Sequence, residues 1–222
     1  MLPTRDELVD LYRKRARRYD LTANLYYLIG FREWSYRKRA VEALELAAGD
    51  RVVEIGCGTG LNLPLLRRAV GSRGEVIAVD LNDAMLARAR ARVARKGWSN
   101  VELVQSDAAR FAFPAGIRGV ISTFAITLVP EYDEVIRQGV RALVPGGRFA
   151  ILDFKRAEWA PLWLVKALVA ITAPFGVSLE MAEHHPWESL DRHGERFRMR
   201  ALYSGFAYLA VAEAASSARR DT

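Results

Sequence analysis

Only one cysteine, Cys57, occurs in the 222 residues, so no disulfide can form within the chain. No charged segment followed by an apolar leader is legible at the N-terminus, and with the lone thiol this predicts a reducing, cytoplasmic setting. A run of the roughly 20 apolar residues that a membrane-spanning helix needs is also missing. The most apolar stretch, 159–179, is interrupted by Pro161, Lys166 and Pro174. Histidines number three, and two of them, His184 and His185, are adjacent. Adjacent side chains do not easily share one ion, so no metal site is predicted. No G-x-x-x-x-G-K-[ST] string is present, which excludes P-loop phosphate chemistry, and the third glycine of G-x-G-x-x-G falls on Leu61 or Leu63, which excludes the dinucleotide fingerprint in both registers. Strings of the Asn-Pro-Pro-Tyr type are lacking, as is a second cysteine for attack on a pyrimidine, so nucleic acid is disfavoured as a substrate despite a net charge of +7.

What is present is most informative around Val52-Val53-Glu54-Ile55, a buried-strand pattern followed by Gly56-Cys57-Gly58-Thr59-Gly60 and a helix-forming stretch over 61–70. Glycine suits such a turn because it adopts the required dihedrals cheaply and lets the backbone approach a ligand. A second strand, 75–79, ends at Asp80, placed to accept hydrogen bonds from a ribose diol. These features predict a nucleoside-containing cofactor. Within the turn, Cys57 reads as a small filler rather than a nucleophile, since no adjacent base appears.

The spacing Glu54-x-Gly56-x-Gly58-x-Gly60 resembles motif I of the class I S-adenosylmethionine-dependent methyltransferases. The resemblance continues through Val76-Ile77-Ala78-Val79-Asp80 with Asn82-Asp83-Ala84-Met85-Leu86, through Val104-Gln105-Ser106-Asp107-Ala108, and through Leu143-Val144-Pro145-Gly146-Gly147-Arg148-Phe149. It implies S-adenosylmethionine as cofactor, with Glu54 supporting its amino-acid end, Asp80 its ribose, Leu81 beside the adenine, Asp107 at the adenine amino group, and Met85 also in the cofactor set. Gly56, Cys57, Gly58, Gly60, Ser106, Ala108 and Thr123 complete the expected cofactor set. Asp107 also suits a loop cap.

Strands over 51–55, 75–79, 101–105, 117–122 and 148–154 alternate with helices over 61–70, 83–96 and 131–142. That rhythm predicts an α/β fold with a parallel sheet covered on both faces, its ligand beyond the carboxyl ends of the strands. Five such points converge: 54–60, Asp80, Ser106-Asp107, 123–127 and Asp153. Strands over 197–203 and 206–212 match the antiparallel hairpin that ends this fold, so a Rossmann-like, seven-stranded, mostly parallel sheet is expected. The predicted divisions are an N-terminal helical lid or anchor (1–47, with helices at 5–18, 22–29 and 32–47), the cofactor-binding domain (48–213) and a frayed tail (214–222).

Residues 1–40 hold ten Lys or Arg against five acids, interleaved with rings such as Tyr26, Tyr27, Phe31 and Trp34. The pattern fits either a lid over the cofactor or contact with an anionic membrane surface, peripheral at its inner face. The stretch 159–179 nearly lacks a polar face, and so needs a second apolar neighbour beyond the sheet. Around the methyl acceptor the residues singled out are Tyr19, Tyr26, Asp153, His184 and His185, since rings and carboxylates attract an ammonium and histidine can act as a base. Tyr19-Asp20-x-x-x-Asn24 and the whole layout resemble the branch holding ubiquinone and menaquinone methyltransferases and bacterial phospholipid N-methyltransferases; the Gly205-Phe206-Ala207-Tyr208 hairpin resembles the latter. The reading is therefore N-methylation of a lipid amine such as phosphatidylethanolamine. Quinone-ring C-methylation is the alternative, and a noncatalytic cofactor-binding module that docks on membranes is a third.

Overall fold

The computed structural model describes residues 10, 13, 31–161, 163 and 184–215. The predicted helices at 5–18 and 22–29, Tyr19, Tyr26, most of the apolar stretch and most of the tail lie outside these. In chain order the described elements are α1 (Glu33–Glu42), β1 (Arg51–Ile55), α2 (Leu63–Val70), β2 (Glu75–Asp80), α3 (Asp83–Lys96), β3 (Val101–Gln105), β4 (Ile117–Thr123), α4 (Tyr132–Ala142), β5 (Leu143–Phe154), α5 (Pro186–His193), β6 (Glu195–Leu202) and β7 (Ala207–Glu213). They form one seven-stranded sheet of order β3-β2-β1-β4-β5-β7-β6. The first five strands run parallel; β7 pairs antiparallel with both β5 and β6.

Alternation of side chains along the strands splits the core into two layers. On one face Val52, Val76, Ala78 and Ile121 pack with Phe31, Ala40, Val41 and Leu44 from the α1 region and with Leu63, Leu66 and Val70 from α2. On the other, Val53, Ile55, Ile77, Val79 and Phe149 pack with Val135, Ile136 and Val140 of α4 and Leu190 of α5. Phe31, Ala40, Val41 and Leu44 are therefore built into the sheet's own core. At the other end, the Ala214 N–H donates to the Gly147 carbonyl (2.8 Å), so the ordered chain runs past 213.

Local chemistry explains most element ends. Asn82 caps α3 by accepting from the Met85 N–H (3.1 Å), and Gly97, at φ 62°, closes it in the left-handed conformation. Helix α2 starts two residues later than expected because Gly60-Leu61-Asn62 completes the turn and Pro64 opens the helix. Strand β5 starts five residues earlier than expected, at Leu143 opposite Ile117, and a register shift takes up the Pro145-Gly146-Gly147 segment. Helix α5 was not expected. Its Pro186 is an opening residue, and the helix is held to α4 by Asp133, which accepts from Ser189 (2.7 Å), Arg192 (2.9 Å) and His193 (3.2 Å). The Ser189 hydrogen bond, with the charges of His193 and Arg192, holds the Asp133 carboxyl below its usual range.

The strand order reverses between β1 and β4: from β1 the chain moves outward through β2 and β3, then returns to β1's other side. Loops diverge at such a point and open a crevice at the carboxyl ends.

Candidate functional site

A cleft of about 1030 Å³, counting its mouth to solvent, occupies that crevice. The Gly56-to-Thr59 loop forms its floor; Asp80, Leu81, Asn82 and Met85 come from the β2 end, Ser106 to Ala108 from the β3 end, and Thr123, Phe124, Ala125, Leu128, Val129 and Pro130 from the β4 end. Arg37 of α1 closes one side.

The glycine loop is held open by backbone geometry. Gly56 (φ 72°) sits so tightly that a Cβ there would lie 2.2 Å from Ala125 Cβ, whereas a Cβ on Gly58 (φ 55°) would meet no protein atom within 4 Å. Gly58 thus leaves space toward the cleft rather than toward the core. The Gly58 N–H donates to one oxygen of Asp80 (2.7 Å), and the Asn82 N–H donates to the other (2.8 Å). Burial raises the Asp80 carboxyl above its ordinary range, against the pull of these amides. One carboxylate therefore fixes the loop after β1 and the turn after β2, and each oxygen keeps a lone pair for a ligand hydroxyl. We expect Gly58→Ala to lower stability by about 1 to 2 kcal/mol, the cost of a side chain in the left-handed region, and to weaken S-adenosylhomocysteine binding more than tenfold; calorimetry and thermal melts separate the two effects.

Of the expected cofactor set, Gly56, Cys57, Gly58, Asp80, Leu81, Met85, Ser106, Asp107, Ala108 and Thr123 line the cleft. Asp107 borders the cleft and also serves as the loop cap considered for it, capping the Ala108–Arg110 turn by accepting from the Ala109 N–H (3.0 Å). Burial pushes the Cys57 thiol well above its usual range, which suits a filler and not a nucleophile.

Glu54 and Gly60 do not line the cleft. Gly60 (φ 79°) lies against Leu63. Glu54 is 1% exposed and sits beneath the floor, where its Oε1 accepts from Asn62 Nδ2 (2.7 Å) and its Oε2 has no hydrogen-bond partner. Burial pushes its carboxyl up to about 8, against the Asn62 hydrogen bond and the Arg37 charge. Asn62 links it upward to Thr123 Oγ1 (2.9 Å) and to Arg37, whose Nη1 donates to both Asn62 Oδ1 (3.2 Å) and Thr123 Oγ1 (2.5 Å).

Of the residues expected around the acceptor, Tyr19 and Tyr26 lie outside the described residues, and Asp153, His184 and His185 do not line the cleft. Asp153, 2% exposed, does not reach the cleft. The Ile126–Leu128 turn folds over it, with Thr127 donating through Oγ1 (2.8 Å) and N–H (3.3 Å), and burial pushes its carboxyl up to about 6. His184 Nδ1 lies 2.9 Å from the Thr127 carbonyl and its ring packs on Tyr132. His185 pairs with Glu188 (3.0 Å) and packs on Trp187. Sequence reasoning missed Arg37, Asn62 and the continuation of the β4 loop through Leu128, Val129 and Pro130; the one local signal for Arg37 was Glu33 a helical turn before it.

A glycine loop after β1 with an acidic residue at the end of β2, on a sheet of this order, defines a class I S-adenosylmethionine-dependent methyltransferase. A solved S-adenosylmethionine-dependent methyltransferase from Aquifex aeolicus has this fold, at TM-score 0.61 and 22% identity over 80% of this chain and 89% of that one. So does Haemonchus contortus phosphoethanolamine N-methyltransferase 2, solved with phosphomonomethylethanolamine and S-adenosylhomocysteine, at TM-score 0.65 and 18% identity over 83% of this chain and 53% of that one. The chain belongs to the ubiE/COQ5 methyltransferase family, whose sequence model matches residues 3–171. It is similar to the ubiquinone/menaquinone biosynthesis C-methyltransferase UbiE of Pseudomonas putida strain GB-1, being 33% identical over 152 residues, which are 68% of this chain and 59% of that protein. The match thus spans less than two thirds of that relative's length.

Proposed function

We propose that the chain transfers a methyl group from S-adenosylmethionine to a ring carbon of a demethylated, lipid-soluble quinol, the S–CH3 bond breaking as the C–C bond forms and the ring hydrogen leaving as a proton to solvent. The observation that carries this reading is the far wall of the cleft, Phe124, Ala125, Leu128, Val129 and Pro130, which is apolar throughout. Among the described residues, the carboxylates lining the cleft are Asp80 and Asp107, and both are engaged with backbone amides on the β2 and β3 side. An ammonium acceptor calls for a carboxylate or an open aromatic face. Among the described residues the one aromatic ring on the wall, Phe124, already has the Arg37 guanidinium 5.2 Å from its centroid. The UbiE relatives support the same preference, which reverses the expectation of an aminolipid.

The cofactor, when bound, supplies a methyl group already activated on a sulfonium. The chain's own task is then to align donor and acceptor and to exclude water. Asp80 and the glycine loop suit the adenosine, and the apolar wall suits a ring or a hydrocarbon tail. Such an acceptor resides in a bilayer. Trp159 and Trp163, 62% and 70% exposed, suit the headgroup level, and the basic excess in 1–40 suits an anionic inner membrane face.

Purified protein given labelled S-adenosylmethionine should methylate demethylmenaquinol in detergent micelles and leave phosphatidylethanolamine vesicles unlabelled. Labelling of the aminolipid with the quinol inert would replace this reading by N-methylation, for which residues 184–215, beyond the family match, would be the place to seek the acceptor site.

A further inference from the structure

We propose that Arg37 is the carboxylate-binding residue of the site, receiving the α-carboxylate of the cofactor's methionine end. Three independent observations converge on it. Arg37 is the one cationic side chain lining the cleft among the described residues, and it is 5% exposed. A buried guanidinium held at the edge of a ligand cleft is costly unless its donors are satisfied.

Its donors are satisfied on one side only. Nε donates to Glu33 Oε1 (2.8 Å), and Nη1 donates to Asn62 and Thr123. Among the described residues Nη2 makes no hydrogen bond, yet it is not among the fully enclosed polar atoms that lack a partner. It therefore meets open space, and the open space beside Arg37 is the cleft. Phe124 beneath the guanidinium fixes its plane, and Asn62, itself 0% exposed, is tied down by Glu54. The fork is thus pre-oriented, which is what lets arginine bind a carboxylate with geometric selectivity.

The third observation is the order of the strands. Ser106 to Ala108 follow β3, Asp80 ends β2, the glycine loop follows β1, and Thr123 ends β4, so these groups stand in a row across the sheet. With the adenine at Asp107 and the ribose at Asp80, as the resemblance implies, the rest of the cofactor would extend over the glycine loop toward β4. Arg37 stands at that end, bonded to Thr123. Glu33, Asn62 and Glu54 are then positioning residues, and α1 is part of the cofactor site as well as of the core.

This inference rests on S-adenosylmethionine being the cofactor and is independent of the acceptor. It is tested by isothermal calorimetry with two ligands, S-adenosylhomocysteine and its decarboxylated counterpart, on wild type and on Arg37→Met. Wild type should prefer the carboxylate-bearing ligand about thirtyfold, and Arg37→Met should bind the two within about twofold of each other, its loss falling on S-adenosylhomocysteine alone. Should Arg37→Met not fold because Glu33 is left as an unpaired buried charge, Glu33→Gln/Arg37→Met removes that charge and is read in the same way. Wild type binding both ligands equally overturns the proposal, as does an equal loss of both ligands in the variant, which would make Arg37 a purely structural residue. Binding of neither ligand to wild type would remove the cofactor assignment and this proposal with it.

Discussion

Replacing Asp80 by alanine should weaken S-adenosylhomocysteine binding by about a hundredfold or more while leaving the protein folded. A hydrogen bond to a charged group is worth about 1.5 to 3 kcal/mol, or roughly one to two decades in affinity. That estimate covers only the ligand's contact with the carboxylate. Asp80 also accepts from the amides of Gly58 and Asn82, so its loss frees both the glycine loop and the turn that follows β2. Asp80→Asn should be intermediate, because an amide side chain offers one acceptor oxygen where the carboxylate serves two N–H groups on separate loops. Calorimetry of the three proteins gives the order, and binding unchanged in Asp80→Ala would refute the placement of the ribose.

The second large effect concerns stability and pH. The Glu54 carboxyl is raised from 4.5 to about 8, chiefly by burial. Between those values the native state retains a proton that the unfolded chain has released, so stability is lost as pH rises through the window. Glu54→Gln keeps an acceptor for Asn62 and cannot ionise. Wild type and Glu54→Gln should therefore be similarly stable near about pH 5, with wild type falling behind by on the order of a few kcal/mol at about pH 8. Asp153, raised to about 6 by burial, pushes the same way but acts equally in both proteins, so the difference between their urea midpoints isolates Glu54. Parallel pH curves would mean that Glu54 is ionised in the folded protein.

Much of this architecture was readable in advance because it depends on local rules. Apolar runs bounded by glycines and acids marked β1, β2 and β3, and a side-chain cap at one end with a left-handed glycine at the other bounded α3. Misreadings arose where one local signal has two tertiary uses. Pro186 opens α5, a helix absent from the predicted rhythm of strands and helices, since a proline in the first turn lacks only an N–H that has no helical partner. Asp153 lies near a strand end and was placed in the cleft by that rule; its pairing opposite Tyr208 and the turn closing over it put it inside the core. Arg37 was one basic residue among ten, and charge counting cannot separate a buried guanidinium from solvated ones. That Glu54 is joined to Thr123 and Arg37 through Asn62 depends on side-chain contacts that spacing does not encode.

The sheet order carries a consequence for how the chain is made. Strand β7 is the last of the described strands to leave the ribosome, yet it lies inside the sheet between β5 and β6. Among the described strands β6 pairs only with β7, so it waits for it, and until then β5 presents an unpaired edge over the stretch from Arg148 to Phe154. That stretch includes Phe149, Ala150, Ile151 and Leu152, all fully buried once the sheet is complete. During synthesis it is an apolar edge of the kind that recruits other nascent chains. Ribosome-stalled chains ending before Ala207 should therefore bind holdase chaperones strongly, and chains extended past Ala214 far enough to clear the exit tunnel should not.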